Sequence, residues 1–270
     1  MPVLILLPPS EGKTPPSSGP PLDLAGLLGS AELGAARLTV MEALSRASAS
    51  PDAAALLGLG PRSAADAALN LHLATAPCAP AHELFTGVLY EAAALSRHAG
   101  GQPGRRILSS SVVILSGLWG AVRATDALPD HRLSMGLALP GLGRMSAFWK
   151  RPLAPVLDGL ADGVVVDCRS SAYAAAWQPS AQAPPAGGLL RVAVVKEAPH
   201  GARTAVSHHA KHTRGLLVGA IIDALAGATL AQEADAESIA GIAQGLEAVH
   251  AVELGEPDRR GRRDLRLVLR

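Results

Sequence analysis

The sequence predicts a fold that mixes helices with a central, largely buried β-sheet, and three observations point there. Val3 to Leu7, Val112 to Leu115 and Val164 to Val166 are short, unbroken apolar runs, as strands buried on both faces are. Longer stretches between them carry helical patterning with capping residues. Polar residues gather directly after the strands, as at Pro8 to Thr14 and Asp167 to Tyr173, and chemistry often sits where a strand stops.

The bulk composition narrows the function classes. The 270 residues bury a full core, 49% of them are apolar and only 3% aromatic, so that core is built from Ala, Leu and Val. A formal charge of +1 provides no global field that would drive the chain onto nucleic acid or an anionic membrane. Cys78 and Cys168 have neither metal-knuckle spacing nor the density of a secreted disulfide framework, which fits a reducing cytoplasm. Leu4 to Leu7 is too short for a signal-peptide core and lacks a basic leader, and no apolar run reaches spanning length. A cytoplasmic chain without membrane partners is expected.

In order, Val3 to Leu7 is a strand and Pro8-Pro9-Ser10-Glu11-Gly12-Lys13-Thr14 the loop leaving it. The Gly-Lys-Thr ending is not a phosphate-binding P-loop: Leu7 stands where that motif needs a glycine, and prolines follow where it needs a helix. Ser10, Lys13 and Thr14 remain displayed on a stiff loop, either as ligand contacts or as an ordinary exposed turn. Leu24 to about Leu73 reads as a helical cover, with Ser50-Pro51-Asp52 before Ala53 to Leu57 and Gly58 closing that helix. Pro80 to Arg97 reads as a helix pair broken near Gly87, Gly100 to Gly104 as a loop, and Arg132 to Leu139 as a strand. Phe148 to Leu160 is a loose helix, Leu189 to Glu197 a strand, and Thr204 to Val206 its hairpin partner. Ser207 is placed to cap a helix running through Leu216 to Leu225, and Leu265, Leu267 and Leu269 alternate as in a half-buried strand.

The chain is organised around Val112 to Gly136, where Ser116, Arg123, Asp126 and Arg132 fall close together after a buried strand. Two guanidinium groups beside one carboxylate leave spare donors for a phosphate or carboxylate ligand. The plainer reading is a structural ion pair of Arg123 or Arg132 with Asp126. His208 and His212 stand at i and i+4, a spacing that suits two metal ligands, but no third is evident, so no metal site and no cofactor is assigned. Lys211 and Arg214 share the neighbouring face and can meet an anion. Arg259, Arg260, Arg262 and Arg263 form the densest basic cluster, either a phosphate-tracking patch or a solvated turn balanced by Asp258 and Asp264.

Leu115-Ser116-Gly117-Leu118-Trp119-Gly120, with Arg123, Asp126, Arg132-Leu133 and Met135-Gly136, resembles the Leu-Ser-Gly-Leu-Tyr-Gly block of the YaaA-type peroxide-stress protein family. Leu7-Pro8 with Lys13-Thr14 is similar to that family's Ser-Pro-Ala-Lys-Thr start, and Ala210-Lys211 with Arg214-Gly215 to its Ala-Lys-x-x-Arg-Gly segment. Phe85, Gly87, Tyr90, Phe148-Trp149, Ser170 and Tyr173 also match. The chain departs at Ala172, where the family has an acidic residue, at Ser10-Glu11-Gly12, at His208-His209, where it has aromatics, and around Ile239 to Gly245, where a Ser-Glu-Gly-Tyr motif is missing. These departures mark a divergent member.

The resemblance implies a cytoplasmic, single-domain α+β fold over residues 1–270 with a mixed central β-sheet covered by helices. It also implies a part in limiting iron-driven damage under peroxide stress, and DNA binding linked to a helix-hairpin-helix element, to which Leu115 to Gly120 is a loose match. Three functions are therefore expected in turn. The first is DNA bound through phosphate contacts by Lys13, Arg123, Arg132, Lys211, Arg214 and the C-terminal arginines. The second is an enzyme acting on a phosphorylated or nucleotide-like small molecule. In it Ser10, Lys13, Ser116, Arg123, Arg132, Ser170 and Arg214 bind the anion and Asp126, Lys211 or Tyr173 moves the proton. The third is an iron-binding protein using His208, His212 and one carboxylate.

Overall fold

The computed structural model describes residues 3–197, 203–205, 207–231 and 234–270. Its principal elements are β1 (Leu4–Leu7), α1 (Ser30–Ser48), α2 (Val88–Ala93), α3 (Gln102–Ser111), β2 (Val112–Ser116), β3 (Gly120–Arg123) and α4 (Lys150–Leu160). They continue with β4 (Val165–Asp167), β5 (Leu189–Glu197), β6 (Arg203–Ala205), α5 (Ser207–Ala226), α6 (Ala236–Gln244), β7 (Ala251–Leu254) and β8 (Arg262–Leu269).

The fold is α+β, with a mixed sheet ordered β7-β8-β5-β4-β1-β2-β3, and β6 also pairs β5. Every neighbouring pair from β8 through β5, β4 and β1 to β2 is parallel, whereas β7, β6 and β3 join antiparallel. All residues of β1, β2 and β4 are buried. That is why their sequences are continuous apolar runs rather than alternating ones.

Helices cover the sheet, and two close approaches fix their placement. Arg37 of α1 is fully buried and donates from Nε to Trp119 O (3.0 Å) and from one terminal nitrogen to Leu28 O (2.6 Å) and Ala121 O (2.8 Å). It thereby ties α1 to β3, and burial lowers its pKa to about 10, against the pull of Asp126. Helix α5 meets α2 at Gly215, where an added Cβ would lie 2.3 Å from Leu89 O and 2.7 Å from Ala92 Cβ. Helix α6 is capped by Asp235, whose carboxylate accepts from Ser238 N at 2.8 Å.

Several elements differ from the sequence reading. The expected loop at Gly100 to Gly104 becomes helix from Gln102 onward, because Pro103 sits in the first turn, where a missing N–H costs nothing. Arg132 to Leu139 is not a continuous strand. The Asn70 side chain accepts from Arg132 N (2.8 Å) and donates to Arg132 O (3.0 Å), so that backbone is satisfied without a neighbouring strand. Only Ala138–Leu139 is extended there, paired with Gly143–Arg144. The turn after Ser116 contains the short strand β3, entered through Gly120 at φ +73°. Of the hairpin expected at Thr204 to Val206, Arg203–Ala205 pairs with β5, and Val206 lies outside the described residues. No helix among the described residues is long and apolar enough to cross a membrane.

The α2–α5 contact makes a paired prediction. Gly215→Ala should lower stability by about 1–3 kcal/mol, because two backbones must part to admit a methyl group. Gly34→Ala, whose Cβ would meet nothing within 4 Å on α1, should raise it by up to about 1 kcal/mol. Urea unfolding of both variants checks this, and the two midpoints should move in opposite directions.

Candidate active site at the carboxyl edge of the sheet

In sheets with a parallel core, ligands bind outside the carboxyl ends of the strands, near the point where successive connections leave in opposite directions. Here β1 lies between β2 and β4, so the chain goes from β1 to one side and later returns to the other. The loops at the ends of β1 and β4 carry Ser10, Lys13, Ser170 and Tyr173.

Lys13 is held by both backbone and side chain. Its loop pairs with the segment before α2, through Thr14 N to Leu84 O (2.9 Å) and Thr86 N to Gly12 O (3.0 Å). The Lys13 side chain is 5% exposed, with Nζ 3.9 Å from Asp130 Oδ1 and 5.8 Å from the centre of the Phe85 ring. Burial, and then the nearby Arg132 cation, lower its pKa to about 8, against the opposing pull of Asp130, Asp66 and Glu11. Arg132 donates from Nε to Asp66 Oδ2 (2.9 Å) and from a terminal nitrogen to Glu11 O (3.1 Å), and also lies 3.6 Å from Asp130 Oδ1. One buried carboxylate, Asp130, thus faces two cations.

Tyrosines and a histidine complete the wall. Tyr90 is buried and its hydroxyl donates to Pro8 O (2.7 Å). The Tyr173 hydroxyl accepts from Met135 N at 3.5 Å, and burial raises its pKa, with Ser134 and Met135 opposing. Ser10 Oγ lies 2.9 Å from where a Cβ on Gly87 would stand, and Gly87 has φ +100°. A side chain there would be doubly disfavoured. His131 is buried edge-on to Phe85 and Trp119, with Nδ1 2.9 Å from Pro129 O. Because that carbonyl can only accept, Nδ1 carries the proton.

Beyond Ser170 opens a cavity of about 740 Å³ lined by residues of β4, β5 and β8 and the loops around them, a size that suits a small-molecule ligand. Its floor holds Asp167 and Arg169, a buried pair joined at 2.7 and 2.8 Å. Arg214 reaches the cavity from α5 and donates from Nε to Val192 O (3.0 Å), at the edge of β5 left uncovered between β4 and β6.

The residues singled out from sequence therefore separate into groups. Lys13 and Arg132 meet at Asp130 beyond the end of β1, Ser10 sits on the same loop as Lys13, and the Tyr173 hydroxyl meets Met135 N nearby. Ser170 and Arg214 line the adjoining cavity. Ser116 is buried, and its Oγ accepts from Leu118 N and Trp119 N, both at 3.2 Å, which shapes the turn rather than facing a ligand. Arg123 pairs with Val113 at the far end of β2 from Ser116, roughly 10 Å down the sheet at the usual strand rise. The Asp126 carboxylate accepts from Leu28 N and Arg123 N, both at 2.9 Å. Asp126 thus pins a turn through backbone amides, and no ion pair joins it to Arg123 or Arg132 among the described residues. Lys211 is exposed on α5. Asp130 and His131 escaped the sequence reading although they lie in the organising stretch, flanked by Pro129 and Arg132. Arg37, a lone cation on an otherwise core-facing helix side, is the other signal passed over.

Neither cysteine is poised for peroxide. Cys168 is fully buried and burial raises its pKa to about 12, while burial also raises that of Cys78. Peroxide reacts with thiolates, which these environments suppress. Among the described residues no group of three His, Cys, Asp or Glu could hold a metal ion, and the side chain of His208 lies outside those described.

His131 provides a test of the buried wall. Burial, followed by the charge of Lys13, lowers its pKa to about 3, with the bond to Pro129 opposing. Between the usual value of 6.5 and 3 the unfolded chain therefore binds a proton that the folded chain does not. Stability from this group is complete above pH 6.5 and is lost as pH falls, by up to about 1.4 kcal/mol per pH unit. His131→Phe should flatten that acid slope, as measured by urea unfolding between pH 6.5 and 4.

Comparison with known proteins gives the family of the chain. The family profile described as peroxide stress protein YaaA matches residues 3–234. A UPF0246 protein of Streptomyces coelicolor is 41% identical over 223 residues, covering 82% of this chain and 83% of the relative. One from Corynebacterium efficiens is 36% identical over 258 residues, covering 94% and 96%. A third, from Corynebacterium glutamicum, is 34% identical over 219 residues, covering 80% and 83%. The organising block, the Lys13 loop and the Arg214 helix all fall inside the matched span, and the chain belongs to the YaaA family of peroxide stress proteins.

Proposed function

We propose that this chain serves the peroxide response in the cytoplasm by binding a small phosphorylated or nucleotide-like anion at the carboxyl edge of its sheet, and that it acts on that ligand by proton transfer. The observation that supports this is convergence. Lys13 and Arg132 meet at Asp130 after β1, and the short segment after β4 that bears Tyr173 also presents Ser170 to the neighbouring cavity that Arg214 enters. Arg214 and Ser170, which line the cavity, hold the anion, and Ser10 approaches it from the end of β1. Lys13, with a pKa of about 8, and Tyr173 exchange the proton, since a group titrating near neutral pH is the efficient acid or base. Arg132 and Asp130 set the charge around Lys13. Ser116, Arg123 and Asp126 belong to the framework in this reading.

A surface that tracks DNA phosphates needs exposed, unpaired cations, and Lys13, Arg132 and Arg214 at this edge are each at least partly buried. Duplex DNA is the second reading because Lys211, Arg259 and Arg260 are exposed and their side chains have no acidic partner among the described residues.

Calorimetry with nucleotides and sugar phosphates tests the first reading. Micromolar to millimolar binding is expected, weakened at least tenfold by Arg214→Met and by Lys13→Met. The second reading gains if no such ligand binds while duplex DNA is shifted at low salt. Simultaneous Lys211→Ala, Arg259→Ala and Arg260→Ala should then abolish that shift.

A further inference from the structure

The charges lining the cavity cancel in pairs, with two exceptions. Arg169 pairs with Asp167 at 2.7 Å, Arg191 with Asp264 at 2.7 Å, and Arg262 Nε with Asp258 Oδ2 at 2.7 Å. The remaining charged lining residues are Arg214 and Glu256. Arg214 spends only Nε, on Val192 O, and its two terminal nitrogens meet no acceptor among the described residues. Glu256 stands in the loop between β7 and β8 and makes no ion pair among the described residues. One half-buried cation and one anion at the exposed rim thus line the same half-open cavity without ion-pair partners among the described residues.

We infer that the cavity takes a small zwitterion, with its phosphate or carboxylate on Arg214 and its protonated amine on Glu256. This deepens the anion-binding reading given above and rests on it. A ligand that is only anionic would satisfy Arg214 but bring like charge toward Glu256, and a neutral one would leave both charges unmatched. The buried Arg169–Asp167 pair cannot take over either role without orphaning a buried charge, whereas the other two pairs are more exposed and already have their charges matched. Ser170 and Ser171 add hydroxyls beside the anion, and the Ala174 and Ala175 wall leaves room for a short carbon linker.

Calorimetry on the full-length chain with matched ligand pairs tests this. The pairs are O-phosphoethanolamine against ethyl phosphate, and L-serine against lactate, which also separates a phosphate source from a carboxylate one. The expected result is at least tenfold tighter binding of the amine-bearing member in one or both pairs. Glu256→Gln should erase that preference by weakening the amine-bearing member without weakening ethyl phosphate or lactate, which lose a repelling charge, while Arg214→Met should weaken both members. Equal affinity within both pairs, or a preference that survives Glu256→Gln, overturns the zwitterion and leaves the anion site standing. Absence of binding by every ligand, nucleotides and sugar phosphates included, overturns both.

Discussion

The arrangement at the carboxyl edge depends on one buried carboxylate facing two cations. Asp130 lies 3.9 Å from Lys13 Nζ and 3.6 Å from an Arg132 terminal nitrogen, and its Oδ1 also accepts from His131 N at 2.7 Å. Taking Lys13 out of water is costly, and Asp130, with smaller help from Asp66 and Glu11, offsets that cost only in part because Arg132 draws on Asp130 and Asp66 as well. The amine is therefore left close to losing its proton. A fully satisfied ion pair would have been inert, and an exposed lysine would have kept its charge.

The sheet puts these groups together. Continuous apolar strands force β1 into the middle, with a parallel neighbour on each side, so the loops after β1 and β4 must meet at one edge. The gap left beside β5 between β4 and β6 is then closed by Arg214, which brings the long helix α5 to the same edge. Gly215, the next residue, lets α5 lie against α2 without a side chain between them. Arg37 performs a comparable service at the other side, where its guanidinium occupies carbonyls of and beside β3 that no strand covers.

Much of this was legible in the sequence. The buried strands announce themselves because burial on both faces leaves no alternation to misread, and Gly-Lys-Thr followed by prolines excluded a P-loop on backbone grounds alone. Ser10, Lys13 and Tyr173 stand out in the sequence because polar residues after a strand have few structural reasons to be there, and the structure places them beyond the carboxyl ends of β1 and β4. Arg123 and Asp126 were grouped with Arg132 by proximity in sequence, yet an antiparallel return carries Arg123 to the opposite end of β2. Sequence distance is blind to such a reversal. Ser116 looked like a ligand contact and is a turn-former, since a hydroxyl serves backbone amides as readily as a phosphate. Asp130 and Glu256 carried no local signal, because their meaning lies in which cations they face, and only folding decides that.

The central claim is that Lys13 is a buried amine close to giving up its proton at neutral pH. The chain has four lysines, so NMR of lysine labelled at Cε resolves each one, and Lys13→Met assigns the signal in question. The account predicts that this resonance titrates near pH 8. A Lys13 signal that titrates where an ordinary lysine does would contradict it.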